Sequence, residues 1–248
     1  MVFFLNDPSA SQTGDLFLVA VTGSLGCGKS RVSRWLAEQG AHWLDADQDA
    51  RSVLTPGSEG WQAVLDHFGP EFLAGDGPLS ERPFDRRRLG EIIFRDATAR
   101  AALEAIIHPR IYQRQALALA HWQRATPVGT TALVVAEIPL LFETDSANRF
   151  DRTVAVLCGA AQEARLQGRA GLSPSLRQAV IAQQLPEETK QRLAHYTLDN
   201  RGPWEATESL LRDLWPLIQQ QARLGVSGVG GEARRAWPHR WPESRTLA

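Results

Sequence analysis

The sequence predicts an α/β fold, a parallel sheet covered by helices on both faces. Three observations predict it. Continuous apolar runs that read as buried strands alternate with helical stretches. A glycine-rich turn joins the first such run directly to an amphipathic helix. The 248 residues, 43% of them apolar, suffice for one such domain with inserted helical parts.

Residues 1–14 read as a loose leader. Leu16–Val21 is a buried strand, and Gly23–Gly28 is the turn. Residues 31–38 form a helix whose Val32, Trp35 and Leu36 share a face, with Gly40 as its stop. Ala41–Leu44 is a short second strand ending at Asp45. From Asp47 to about Gln123 the pattern is helical, punctuated by Gly57, Gly69-Pro70 and Gly75–Pro78, and reads as an insertion between two strands. Thr131–Ala136 and Arg152–Leu157 are the next strands. An Arg- and Gln-rich helical stretch follows, from about Ala160 to Ala194. His195–Leu198 is a short last strand and Trp204–Gln220 a last helix. The boundaries expected are a leader at 1–14, a domain at 15–224 with its insertion at about 48–128, and a tail at 225–248. The glycine-rich start of that tail reads as a flexible extension.

A net charge of -1 offers no broad field for gripping nucleic acid. No apolar run reaches membrane-spanning length, and the first residues lack the basic start of a signal segment. Cys27 and Cys158 lie far apart, with no metal-ligand spacing. A cytoplasmic chain with neither nucleic-acid nor membrane partners is expected. Lys29 and Lys190 are its only lysines.

Gly23-Ser24-Leu25-Gly26-Cys27-Gly28-Lys29-Ser30 fits G-x-x-x-x-G-K-[ST], the P-loop. Glycines let successive N–H groups turn inward toward phosphate oxygens, and the following helix presents its N-terminus to the same anion. Lys29 can reach the β- and γ-phosphates as a point charge, and Ser30 can offer its hydroxyl to Mg²⁺. Lys29 is expected to be an exposed loop lysine that packs against little. Cys27 fills a variable position as a small residue.

Asp45-Ala46-Asp47 follows the second strand directly. Strand C-termini line the ligand crevice of an open parallel sheet, so these acids should face the phosphates. A carboxylate there can take a proton from a substrate hydroxyl or position Mg²⁺ through water; equally, an Asp before a helix caps it. For Asp45 both readings stay open, and for Asp47 the chemical one is preferred.

These segments resemble the dephospho-coenzyme A kinase family. The resemblance rests on the P-loop, on Asp45-Ala46-Asp47 with Ala50-Arg51, and on Asp85–Leu89 before Ile93-Phe94. His108-Pro109 and Glu137-Ile138-Pro139-Leu140-Leu141-Phe142-Glu143 extend it. Arg165 and Arg169, then Gln183 and Asn200-Arg201-Gly202, resemble its lid and closing segments. It spans roughly residues 16–220 in order, with departures at Arg31, Glu137 and His195, where Thr, Asp and Asp are usual. The resemblance implies a P-loop kinase-type sheet with a helical substrate-binding insertion and a helical lid at about 160–194. It implies ATP as phosphoryl donor, Mg²⁺, and dephospho-coenzyme A as acceptor through its ribose 3′-hydroxyl.

It also implies roles. Asp47 is the base, with Lys29, Arg165 and Arg169 as catalytic partners. Gly23, Gly26, Cys27, Gly28, Lys29, Ser30 and Arg31 hold ATP, Ser30 also facing the metal. Asp45, Arg51, Arg86 and His108 line the acceptor side. Arg165 and Arg169, four apart, share a helix face and can clamp transferring phosphates, although a solvated face explains the same spacing. Glu137 ends a strand near the P-loop, where it can act on Mg²⁺ through water or anchor the loop. Rival readings are another P-loop nucleoside or nucleotide kinase, a GTPase-type switch, or an inactive scaffold. Asp66–Gly69 fits Asp-x-x-Gly but lies inside a helical stretch, and no Asn-Lys-x-Asp motif exists.

Overall fold

The computed structural model describes residues 13–167 and 181–225. Five parallel strands form one sheet in the order β2-β3-β1-β4-β5. They are β1 (Asp15–Gly23), β2 (His42–Leu44), β3 (Thr131–Glu137), β4 (Arg152–Leu157) and β5 (Tyr196–Asp199). β1 is central, pairing with β3 from Asp15↔Thr131 to Val21↔Glu137 and with β4 from Val19↔Arg152 to Gly23↔Val156. Because all strands run the same way, the P-loop, Asp45, Glu137 and Asn200 emerge at one edge.

Eight helices are described: α1 (Lys29–Glu38), α2 (Ala46–Val53), α3 (Glu59–Phe68), α4 (Arg86–Arg95), α5 (Ala97–Ala125), α6 (Ala161–Gln167), α7 (Glu187–Leu193) and α8 (Trp204–Arg223). One layer packs Val32, Trp35 and Leu36 of α1 with Leu211, Leu214, Trp215 and Ile218 of α8 against Phe17, Val19 and Val21 of β1. On the opposite face, Leu18, Ala20, Leu44 and Val134 meet Leu141, Phe150 and the α5 residues Leu119 and Trp122. A strand whose alternate side chains enter two different cores must be apolar throughout, which is why β1 reads as an unbroken apolar run.

The insertion between β2 and β3 is α2–α5 with its own core of Trp61, Val64, Leu73, Phe84, Leu89 and Leu103. Its helices start on side-chain caps at Asp45, Ser58, Asp85 and Asp96, each satisfying an otherwise orphaned backbone N–H. The expected absence of named strands holds there among the described residues, apart from one isolated antiparallel bridge, Leu73↔Phe84. Asp66 lies within α3, away from any strand end. Arg169 and the residues after Gly225 lie outside the described residues.

Candidate active site

The P-loop is built by its glycines. Gly26 and Gly28 adopt φ of 78° and 96°, a left-handed backbone that side chains disfavour. A Cβ on Gly28 would also stand 2.4 Å from Asn200 Nδ2. That amide donates to the Cys27 carbonyl at 2.7 Å, and its oxygen accepts from Thr207 Oγ1 at 2.9 Å. The loop after β5 is thereby pinned to the phosphate loop.

Lys29 is not the exposed lysine that sequence suggests. It is the first residue of α1, only 7% exposed, and its ammonium donates to the carbonyls of Gly23 and Ser24 at 3.0 Å each. The physical reason is local: the loop curls around the side chain, and its own carbonyls satisfy the buried ammonium. Cys27 is fully buried, and burial pushes its thiol up, against the pull of Lys29. A buried neutral thiol is a packing group, as expected from its variable position.

Three acids lie at this edge of the sheet, Glu137 ending β3 and Asp45 and Asp47 following β2. Ser30 Oγ donates to Glu137 Oε1 at 3.0 Å, joining the start of α1 to the end of β3. Burial raises the Glu137 carboxyl above the ordinary carboxylate range; Lys29 and Ser30 oppose this, and Asp47 and Asp45 add to it. Asp45 caps α2, its Oδ1 accepting from Gln48 N at 3.0 Å, while Asp47, in the first turn of α2, stays exposed. Hydroxyl and carboxylate oxygens of this kind are the hard donors that Mg²⁺ takes.

A family model described as dephospho-CoA kinase matches residues 17–205. The chain belongs to the dephospho-CoA kinase family. A dephospho-CoA kinase of Frankia casuarinae is 37% identical over 203 residues, 81% of this chain and 82% of the relative. One of Symbiobacterium thermophilum is 36% identical over 216 residues, 87% and 84% of the two chains. Among solved structures, TT1252 from Thermus thermophilus is 31% identical, covers 82% of this chain and 98% of its own, and superposes with a TM-score of 0.61. The dephospho-CoA kinase from Campylobacter jejuni, 23% identical with a TM-score of 0.55 over 83% of this chain and 98% of its own, shares the fold.

The remaining positions singled out by the family resemblance are spread wider. Arg165, exposed on α6, donates through Nη2 to the Asn200 carbonyl at 2.7 Å, so it reaches the pinned loop. Arg31, exposed on α1, lies over the Trp204 ring at 4.1 Å. Arg51 lies in the last turn of α2, Arg86 starts α4, and both are exposed. His108 sits half-buried on α5 with its ring 5.8 Å from that of Tyr112, and burial lowers its pKa. Among the described residues, no hydrogen bond or ion pair joins these last three to the P-loop.

Sequence reasoning missed a clasp that Gln162 and Gln184 make on the P-loop. Gln184 accepts the Leu25 N–H at 3.0 Å, and Gln162 donates to the Leu25 carbonyl at 2.9 Å. The resemblance pointed to Gln183, which is exposed. Glu187 grips Cys158 N at 2.8 Å and Gly159 N at 2.9 Å, both beyond β4. Lys190, wholly buried, pairs with Glu143 Oε1 at 3.0 Å, and the same oxygen accepts from Leu185 N at 2.8 Å. The scarcity of lysine was the one signal available for that pair.

Proposed function

We infer that this chain transfers the γ-phosphoryl group of ATP to the ribose 3′-hydroxyl of dephospho-coenzyme A, giving coenzyme A. The observation that carries the reading is the meeting of a P-loop with Glu137, Asp45 and Asp47 at one sheet edge, in a chain whose family match runs through all of them.

In this reading Gly23, Gly26, Cys27, Gly28 and Ser30 cradle the donor phosphates with backbone N–H groups. Lys29 leaves the Gly23 and Ser24 carbonyls for the β- and γ-phosphates, which offer its ammonium stronger acceptors. Ser30 and Glu137, joined at 3.0 Å, would hold Mg²⁺, with Asp45 and Asp47 beside them. When bound, that ion neutralises charge on the β- and γ-oxygens. Asp47, exposed at the crevice, orients the acceptor hydroxyl and takes its proton. Arg165 and Arg169, in the lid expected at about 160–194, would serve the transferring phosphates, as the family resemblance implies. Arg51, Arg86 and His108 serve the acceptor from the insertion at about 48–128, and the cytoplasm is the setting.

Turnover of ATP by the full chain should be measured with dephospho-coenzyme A and with a panel of nucleosides and nucleotides. Phosphorylation of dephospho-coenzyme A well above every other acceptor is expected. A nucleoside that turns over faster overturns the reading.

A further inference from the structure

Leu25 has both of its backbone polar groups held by side chains from distant segments. Its N–H donates to Gln184 Oε1 at 3.0 Å, and its carbonyl accepts from Gln162 Nε2 at 2.9 Å. The two glutamines stand 159 and 137 residues away in sequence. Gln162 lies on α6 and Gln184 just ahead of α7, both half-buried. The reaction as described uses neither.

The geometry of the loop says what this grip controls. Leu25 and Gly26 are the central residues of a tight turn, closed by Cys27 N donating to the Ser24 carbonyl at 3.2 Å. Gly26 has a φ of 78° and Leu25 does not have a positive φ, which marks a type II turn. A type II turn differs from a type I turn chiefly by a flip of its central peptide, here the Leu25–Gly26 unit. In a planar trans peptide the C=O and the N–H point opposite ways, so holding one end aims the other. Gln162 holds the Leu25 carbonyl, and the Gly26 N–H is thereby aimed away from it. Among the described residues that N–H meets no acceptor. Gln184 holds the Leu25 N–H, and the Ser24 carbonyl is thereby turned the other way, where the Lys29 ammonium meets it at 3.0 Å.

The clamp is itself braced. Leu185, next to Gln184, donates its N–H to Glu143 Oε1 at 2.8 Å, and the buried Lys190 ammonium meets the same oxygen at 3.0 Å. Glu187 binds the N–H groups of Cys158 and Gly159, at the foot of α6, at 2.8 and 2.9 Å. The segments that carry the two glutamines are therefore tied to each other as well as to the loop. Leu166 of α6 packs so close to the turn that a Cβ on Gly26 would stand 2.9 Å from its Cδ2.

We propose that Gln162 and Gln184 are positioning residues for phosphoryl transfer, a two-sided clamp that fixes the Leu25 peptides so that the Gly26 N–H faces the donor phosphates. The proposal rests on the kinase reading above and deepens it. The two side chains have opposite tasks, since Gln184 accepts and Gln162 donates. A carboxylate accepts but does not donate, so Glu can replace Gln184 and cannot replace Gln162.

The test compares Gln162→Met, Gln162→Glu, Gln184→Met and Gln184→Glu with wild type in the full chain. Steady-state kinetics are read for ATP and for dephospho-coenzyme A, tripolyphosphate and ADP binding by calorimetry, and melting temperature by circular dichroism. A misaimed N–H loses a hydrogen bond to a charged oxygen, so both Met variants and Gln162→Glu should lose roughly 10-fold or more in kcat/KM for ATP and in tripolyphosphate affinity. KM for dephospho-coenzyme A should stay within about twofold of wild type. The two Glu variants add the same charge beside the same residue, so the difference between them isolates the hydrogen bond. Gln184→Glu should therefore keep clearly more ATP activity and tripolyphosphate affinity than Gln162→Glu. Equal losses in the two Glu variants overturn the proposal, as do Met variants within about twofold of wild type in kcat/KM for ATP. A KM for dephospho-coenzyme A that rises as much as the ATP values fall, or losses that merely follow melting temperature across the four variants, also overturns it. If a Met variant fails to fold, the Glu pair decides. If wild type leaves dephospho-coenzyme A unphosphorylated while tripolyphosphate and ADP binding change as stated, the kinase reading falls and the clamp stands.

Discussion

Ser30 and Glu137, 107 residues apart in sequence, share a 3.0 Å hydrogen bond that joins the phosphate loop to the neighbouring strand end. The bond sets a carboxylate beside a hydroxyl of the loop. It does so in a place where burial already works against ionisation.

Glu137→Gln should separate stability from activity. The raised folded pKa means that the folded chain binds this proton more readily than the unfolded chain does. Its contribution to stability therefore declines as pH rises from the ordinary glutamate range to the raised value, and is constant above. Near neutral pH the Gln variant should melt no lower than wild type, while Mg²⁺-dependent turnover falls ~10²-fold. Thermal melts at pH 5 and pH 8 beside steady-state rates check both halves. A large loss of melting temperature at pH 8 would show that the charge stabilises the fold.

Asp45 and Asp47 should respond differently to the same change. Asp47→Asn keeps size and removes basicity, so single-turnover transfer should slow by ~10²–10⁴-fold with nucleotide affinity intact. Asp45→Asn should cost less, because Asn caps a helix about as well as Asp, whereas Asp45→Ala should destabilise by about 1 kcal/mol. A dead Asp45→Asn beside a normal Asp47→Asn reverses the assignment.

Lys29→Ala should abolish most turnover and also weaken the fold. Its two carbonyl contacts at 3.0 Å are buried, and losing them leaves the loop oxygens of Gly23 and Ser24 without that donor. A cost of about 1–3 kcal/mol in urea unfolding accompanies a rate loss of ~10²-fold or more. Full activity in a folded variant contradicts the phosphate-site assignment, and unchanged stability contradicts the buried geometry.

Lys190→Met should destabilise by about 3–5 kcal/mol, because it strands the Glu143 carboxylate with 11% of its side chain exposed. The double variant Lys190→Met/Glu143→Gln should recover most of that loss, since no uncompensated charge then remains. Urea unfolding of Lys190→Met, Glu143→Gln and the double variant measures the coupling, and additive losses would show that the two groups do not act as a pair.

The sequence by itself determined the sheet strands, the P-loop and the order of the parts, because each is a local pattern. Leu16–Val21 reads as a strand since both of its faces enter a core, and the loop reads as a cradle since its glycines and Lys29 are contiguous. Asp45 and Asp47 were legible from their place after a strand, the Asp45 cap included. Only the tertiary structure decided what depends on chain segments far apart. The Ser30–Glu137 bond, the Gln184 grip on Leu25 and the Lys190–Glu143 pair join residues that no period or spacing relates. Even Arg31, visible as a departure from the family pattern, gained a partner only when β5 brought Trp204 beside α1. Local propensity acts along the chain, whereas these contacts exist because a parallel sheet gathers all its strand ends at one edge.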